Sequence, residues 1–143
     1  MSSIPLHYVD LRAFVYATEA EARVEAALRR LLPEEFGIDR ATTEGHYGDP
    51  ITVLSARVEN ADDLRVLLDR LGELPPRDRR RLREELDDRV DENVSLYVSL
   101  DKQAAYDGTI RLGDGITLRG KIEAYPAKRP KAVAAADELL EDL

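Results

Sequence analysis

The chain has no cysteine and only two histidines, His7 and His46, among 143 residues. Without cysteine there is no disulfide framework and no thiolate metal site. Two histidines, one of them in a turn-forming segment, give little basis for metal ligation or imidazole acid–base chemistry. No apolar run approaches the roughly twenty residues that cross a bilayer. The opening MSSIPLHYVDLRAFVY has no basic stretch ahead of an apolar core, so it is not expected to be a signal peptide. A cytoplasmic location and no membrane partner are therefore expected. Gly113-Asp114-Gly115 lacks the downstream Lys-Ser/Thr of a phosphate loop, and there is no Gly-x-Ser-x-Gly elbow. The paired carboxylates Glu34-Glu35, Glu84-Glu85 and Asp87-Asp88 point in different directions on a helix and read as solvated faces. Asp101, Asp107 and Asp114 are too sparse a set to hold Mg²⁺ for a nuclease. The expectation is a non-enzyme with no cofactor and no metal.

Lysine is also scarce. Lys102, Lys121, Lys128 and Lys131 are the only four, beside 17 arginines, and the net charge is −8. An acidic, arginine-rich, lysine-poor surface points to a halophilic cytoplasm. Screening relieves self-repulsion at this charge. The melting temperature is therefore expected to rise between low and molar KCl; a flat or falling curve would contradict a halophilic origin.

On its face this charge disfavours nucleic acid, because phosphate neutralisation dominates that affinity. The charge is unevenly spread, however. Residues 101–131 carry seven basic side chains (Lys102, Arg111, Arg119, Lys121, Lys128, Arg129, Lys131) against four acidic ones (Asp101, Asp107, Asp114, Glu123). All four lysines fall in that block. A local anion-facing surface on an acidic body is the functional reading, and chance clustering is the plain alternative.

Hydrophobic periodicity gives the order β-α-β-β-α-α-β-β-β-α. Leu6–Ala17 alternates with period two, as do Val94–Lys102 and Ile116–Tyr125. Ile38–Glu44 and Ile51–Val58 are expected to pair across the turn Gly45–Pro50. Thr18-Glu19-Ala20-Glu21 matches a capping box for a helix that Pro33 ends. Asn60 caps a second helix, closed by Gly72. Pro75-Pro76 opens a third through Leu82, Leu86 and Val90, with acids in its last turn. Thr109–Leu112 adds a short strand, and Lys131–Leu143 is a closing helix. The fold class is α+β, one 143-residue domain with a mostly antiparallel sheet covered on one face by helices.

Two surfaces could meet RNA. The run Arg77–Arg83 has five arginines, but pairs such as Arg80–Glu84 and Arg81–Glu85 account for several. The polar sheet face is the better candidate. It collects Thr117, Arg119, Lys121, Glu123 and Tyr125 from one strand and Ser95, Tyr97, Ser99 and Asp101 from another. Tyr8, Arg12, Phe14 and Tyr16 join it from the first strand. Such a face contacts phosphate and stacks unpaired bases. An ordinary solvated face with half-buried tyrosines has the same composition.

The stretch Leu100-Asp101-Lys102-Gln103-Ala104-Ala105-Tyr106-x-Gly108, with Asp114-Gly115-Ile116 and Gly45-x-x-Gly48, resembles an archaeal family described as RNA-binding and as a predicted exosome-associated subunit. The resemblance implies a fold like that of the ribosomal protein that binds 5S RNA, a curved sheet with helices on one face. It also implies a role in RNA processing or degradation, with RNA and exosome subunits as partners. The chain itself is expected to be a monomer or a weak homodimer. Lys102, Gln103 and Tyr106 match the family motif. With Arg111, Arg119, Lys121, Lys128, Arg129 and Lys131 they are expected to form one RNA-facing patch. The competing class is a protein–protein adaptor that docks on an RNA-processing complex without touching RNA.

Overall fold

The structure, a computed structural model, describes residues 4–45 and 47–143. The turn expected at Gly45–Pro50 therefore includes one residue, His46, outside the described residues. Five strands form one sheet in the order β2-β3-β1-β5-β4. They are β1 (Leu6–Val15), β2 (Asp39–Glu44), β3 (Pro50–Val58), β4 (Ser95–Asp101) and β5 (Gly115–Ile122), and every pairing is antiparallel. The described residues also form six helices: α1 (Glu21–Arg29), α2 (Ala61–Leu71), α3 (Pro76–Glu84), α4 (Leu86–Arg89), α5 (Lys102–Tyr106) and α6 (Arg129–Glu141).

Alternation in the strands decides which face is covered. Val9, Leu11, Ala13 and Val15 of β1, Leu54, Ala56 and Val58 of β3, and Ile116, Leu118 and Ile122 of β5 are buried on one side. Val24 and Leu28 of α1, Leu64 and Leu67 of α2, Leu82 of α3 and Ala136 and Leu140 of α6 join them in one continuous core. Burying these side chains is the main favourable term holding the layers together. Among the described residues no helix packs on the opposite side of the sheet.

Two local expectations hold, and two are met only in part. Asn60 accepts a hydrogen bond from the Asp62 N–H at 2.8 Å and caps α2, which Gly72 closes. β2 and β3 pair as a hairpin. Thr109–Leu112 contributes only a single bridge, Leu112 to Leu100. β5 stops at Ile122, so Glu123 and Tyr125 leave the sheet face.

Three expectations are corrected. The capping box at Thr18 does not form. Glu21, the carboxylate that would close the box, accepts from Arg40 Nε at 2.9 Å instead, and α1 starts at Glu21 without a side-chain cap. The third helix is two helices, broken at Glu85. The break puts Asp87 and Asp88 in the first turn of α4, where acids favour the helix dipole rather than oppose it. Finally, the motif segment lies between β4 and β5 as expected, but Lys102, expected to end a strand over Val94–Lys102, opens a helix instead. Asp101 accepts from the Ala104 N–H at 2.8 Å and starts α5.

Candidate nucleic-acid interface

The uncovered sheet face is built around Asp10 on the central strand. The β1–β3 register sets Asp10 opposite Arg57, and the β1–β5 register sets it opposite Arg119. Arg57 donates two hydrogen bonds to the carboxylate, Nε to Oδ1 at 2.7 Å and Nη2 to Oδ2 at 3.0 Å. Arg119 Nη2 donates to Oδ2 at 2.9 Å. The Arg57 bonds hold the Asp10 carboxyl below its ordinary range, against partial burial that pushes it up, and Arg119 adds to the lowering. Both guanidiniums are thereby fixed on the face with donors left over, since each carries five.

Aromatic rings surround this fork. The Arg57 guanidinium lies 4.0 Å above the Tyr8 ring. Tyr97, across β5 from Asp10, donates its hydroxyl to Asp91 Oδ2 at 3.1 Å and stays 39% exposed. Phe14 and Tyr16, at the far end of β1, have ring centroids 6.4 Å apart and are 37% and 51% exposed. Arg12 sits between Ser55 and Thr117 and makes no hydrogen bond or ion pair among the described residues. Arg12, Phe14, Tyr97 and Arg119 line a shallow depression of about 530 Å³ with Asp10 at its floor. A face of oriented cations and open rings can meet both phosphates and bases.

The nine residues expected to form one patch occupy three places. Lys102, Gln103 and Tyr106 lie on α5, against α1 at one end of the sheet. Lys102 is mostly buried. Its ammonium donates to the Phe14 carbonyl at 3.0 Å and pairs with Glu19 at 2.8 Å. Tyr106 packs under Arg23, 5.1 Å from ring to guanidinium, and Gln103 bonds Asp107 at 3.3 Å. Arg111 pairs with Asp101 at 3.5 Å. Arg119 and Lys121 lie on the uncovered face, where Lys121 donates to the Asn93 carbonyl. Arg129 is spent on the carbonyls of Val90 and Asp87. Lys128 and Lys131 are exposed beside it at the start of α6. The β4–β5 ladder runs six residues from Lys121 to Gly115, so Lys102 is about 20 Å from Lys121. The single continuous patch is therefore not formed.

The helix arginines are largely committed. Arg79 donates to the carbonyls of Leu143 and Gly72, Arg81 pairs with Glu85, and Arg83 pairs with Asp137. The expected Arg80–Glu84 pair is absent, and Arg80 has no partner among the described residues. Among the described residues no group of three or more His, Cys, Asp or Glu side chains is placed to hold a metal ion. No helix among them is long and apolar enough to cross a membrane.

A family model described as RNA binding matches residues 8–122. The chain belongs to that RNA-binding family. The matched span runs from Tyr8 to Ile122, so it contains the whole uncovered face and α5 and leaves out Lys128, Arg129 and Lys131. The chain is similar to a Pyrococcus abyssi protein named as RNA-binding, 36% identical over 144 aligned positions with 94% of each chain covered. A solved DUF54 protein from Methanothermobacter thermautotrophicus is 40% identical, with a TM-score of 0.79 over 94% of this chain and 98% of that one. A second, from Archaeoglobus fulgidus, is 32% identical, with a TM-score of 0.85 over 94% and 99%. The layered fold described above is thus shared by solved members of the DUF54 group.

In this RNA-binding family member Tyr8, Arg12, Phe14 and Tyr16 are expected on the sheet face from alternation but lie outside the nine expected site residues. Arg57 and Asp10 went unrecognised. Their signal was present in outline, since Asp10 and Arg57 both fall on outward positions of alternating strands.

Proposed function

We propose that this chain is a non-catalytic RNA-binding protein that holds RNA against the open face of its sheet. The observation that carries this reading is the Arg57–Asp10–Arg119 fork, flanked by open aromatic rings and by Arg12, which has no partner among the described residues, on a face that no helix among them covers. Family membership supports RNA as the ligand. The finer reading is an accessory factor in archaeal RNA processing or degradation, associated with the exosome and acting in the cytoplasm. Its support is the motif around Lys102–Tyr106, together with the archaeal source of the similar proteins. The likeness to the 5S-RNA-binding ribosomal fold belongs to this same reading.

One feature favours the adaptor alternative. Between α2 and α6, Leu68, Leu139 and Leu143 floor a groove of about 640 Å³ whose rim carries Asp69, Glu138 and Asp142. Acidic rims repel phosphate and suit a basic segment of a protein partner with an apolar anchor. Crosslinking in native cells, with sequencing of the attached RNA, separates the two. Direct binding gives RNA covalently joined to this chain. Co-purified proteins with no crosslinked RNA would favour the adaptor.

A further inference from the structure

Resting on the RNA-binding reading, we infer that the open face is built for single-stranded RNA, with unpaired bases stacking on the Phe14–Tyr16 pair. Arg12 meets the backbone beside them, and Lys102 is a positioning residue for the pair rather than a phosphate ligand.

The charge inventory of the face argues against a duplex. Duplex RNA is held through phosphate and 2′-hydroxyl contacts, with its bases hidden. Four cations lie on the face: Arg12, Arg57, Arg119 and Lys121. Arg57 and Arg119 share one carboxylate, and Lys121 is tied to the Asn93 carbonyl. Asp10 and Asp39 lie on the same side of the sheet, and the whole chain carries −8. That is a small positive surplus with which to hold a highly charged helix. The rings are the larger resource. Phe14, Tyr16 and Tyr97 are all between 37% and 51% exposed, and only splayed bases can use them.

The network behind Phe14 and Tyr16 gives Lys102 a structural task. Lys102 Nζ donates to the Phe14 carbonyl and to Glu19, and it lies 5.4 Å from the Tyr16 ring centroid. Glu19 in turn accepts from the Tyr16 N–H at 3.0 Å. Both ring-bearing residues are therefore gripped through their backbone by one half-buried ion pair. The strand would otherwise fray there, because β1 ends at Val15 and Tyr16 has no ladder partner. A ring fixed before binding loses less entropy when a base stacks on it.

The test is fluorescence anisotropy across a KCl series up to molar, with two labelled probes, a twelve-nucleotide oligo(A) strand and a twelve-base-pair RNA duplex. The single strand should bind at least tenfold more tightly. Phe14→Ala/Tyr16→Ala should weaken the single strand between about fivefold and a hundredfold and leave the duplex unchanged. Phe14→Tyr/Tyr16→Phe keeps both rings and should bind like the parent. Lys102→Met should weaken the single strand severalfold with no change in the salt slope. A direct phosphate contact would instead lower that slope by roughly 0.7. Circular dichroism checks that each variant is folded. Equal or tighter duplex binding, or an aromatic double variant that binds the single strand normally, overturns the inference and leaves RNA binding standing. Failure of both probes at every salt where the chain is folded overturns RNA binding itself.

Discussion

Gly115→Ala is expected to destabilise the protein by roughly 2–4 kcal/mol and to lower its melting temperature by about 10 °C in molar KCl. Gly115 begins β5 at φ +117°, a conformation that L side chains rarely adopt. A methyl group there would lie 2.5 Å from Lys102 Cβ, so either the strand or α5 must move. Strain and overpacking act at the same point. Because the displaced neighbour is Lys102, the grip on Phe14 and Tyr16 should loosen as well. Gly37→Ala is the matched control. Gly37 is exposed and an added methyl group meets nothing within 4 Å, so that change should be nearly neutral. Thermal melts of the two variants beside the parent check the difference. Equal melting temperatures would mean that the Gly115 contact is not tight.

This glycine shows how far the sequence could be read. Gly113-Asp114-Gly115 is recognisable as a turn from its composition. Its packing on Asp101 and Lys102 is not, because that depends on where α5 lies. α5 itself is only five residues long, too short for a helical period to show. The one local sign was a cap residue, Asp101, ahead of two alanines. The long strands and the larger helices were legible because each repeats its pattern over many residues. So was the layering, with helices on the apolar face of the sheet.

The site was legible only in part, for a reason of distance along the chain. Alternation places Asp10 and Arg57 each on an outward position, but 47 residues separate them, and only the strand register makes them partners. Lys102 looked like a free cation in a basic block. Glu19, 83 residues earlier, neutralises it. Counting charge along the sequence thus finds basic residues without showing which are already paired. Lysine Lys121 and Arg129 show the same limit, each satisfied by carbonyls of the segment around residues 87–93. In the arginine run of α3 the pair Arg81–Glu85 is legible from its spacing, whereas Arg83 finds Asp137 54 residues away.

The central claim is that RNA lies on the open sheet face, and filter binding across a KCl series tests it most directly. The deciding variant is Arg12→Ala/Arg57→Ala/Arg119→Ala. Losing three phosphate contacts should reduce the salt slope by roughly 2 and weaken a single strand on the order of tenfold to thirtyfold at 0.2 M KCl. The variant should stay folded, because exposed ion pairs contribute about 0–1 kcal/mol each. Arg79→Ala/Arg80→Ala/Arg81→Ala is the comparison on the helix side. All three lie on α3, which packs through Leu82 on the covered side of the sheet, so this variant should bind RNA with a nearly unchanged slope. Loss of binding on the sheet face with the helix variant intact is the predicted result. Normal binding by the sheet variant, with the helix variant defective, would contradict the account.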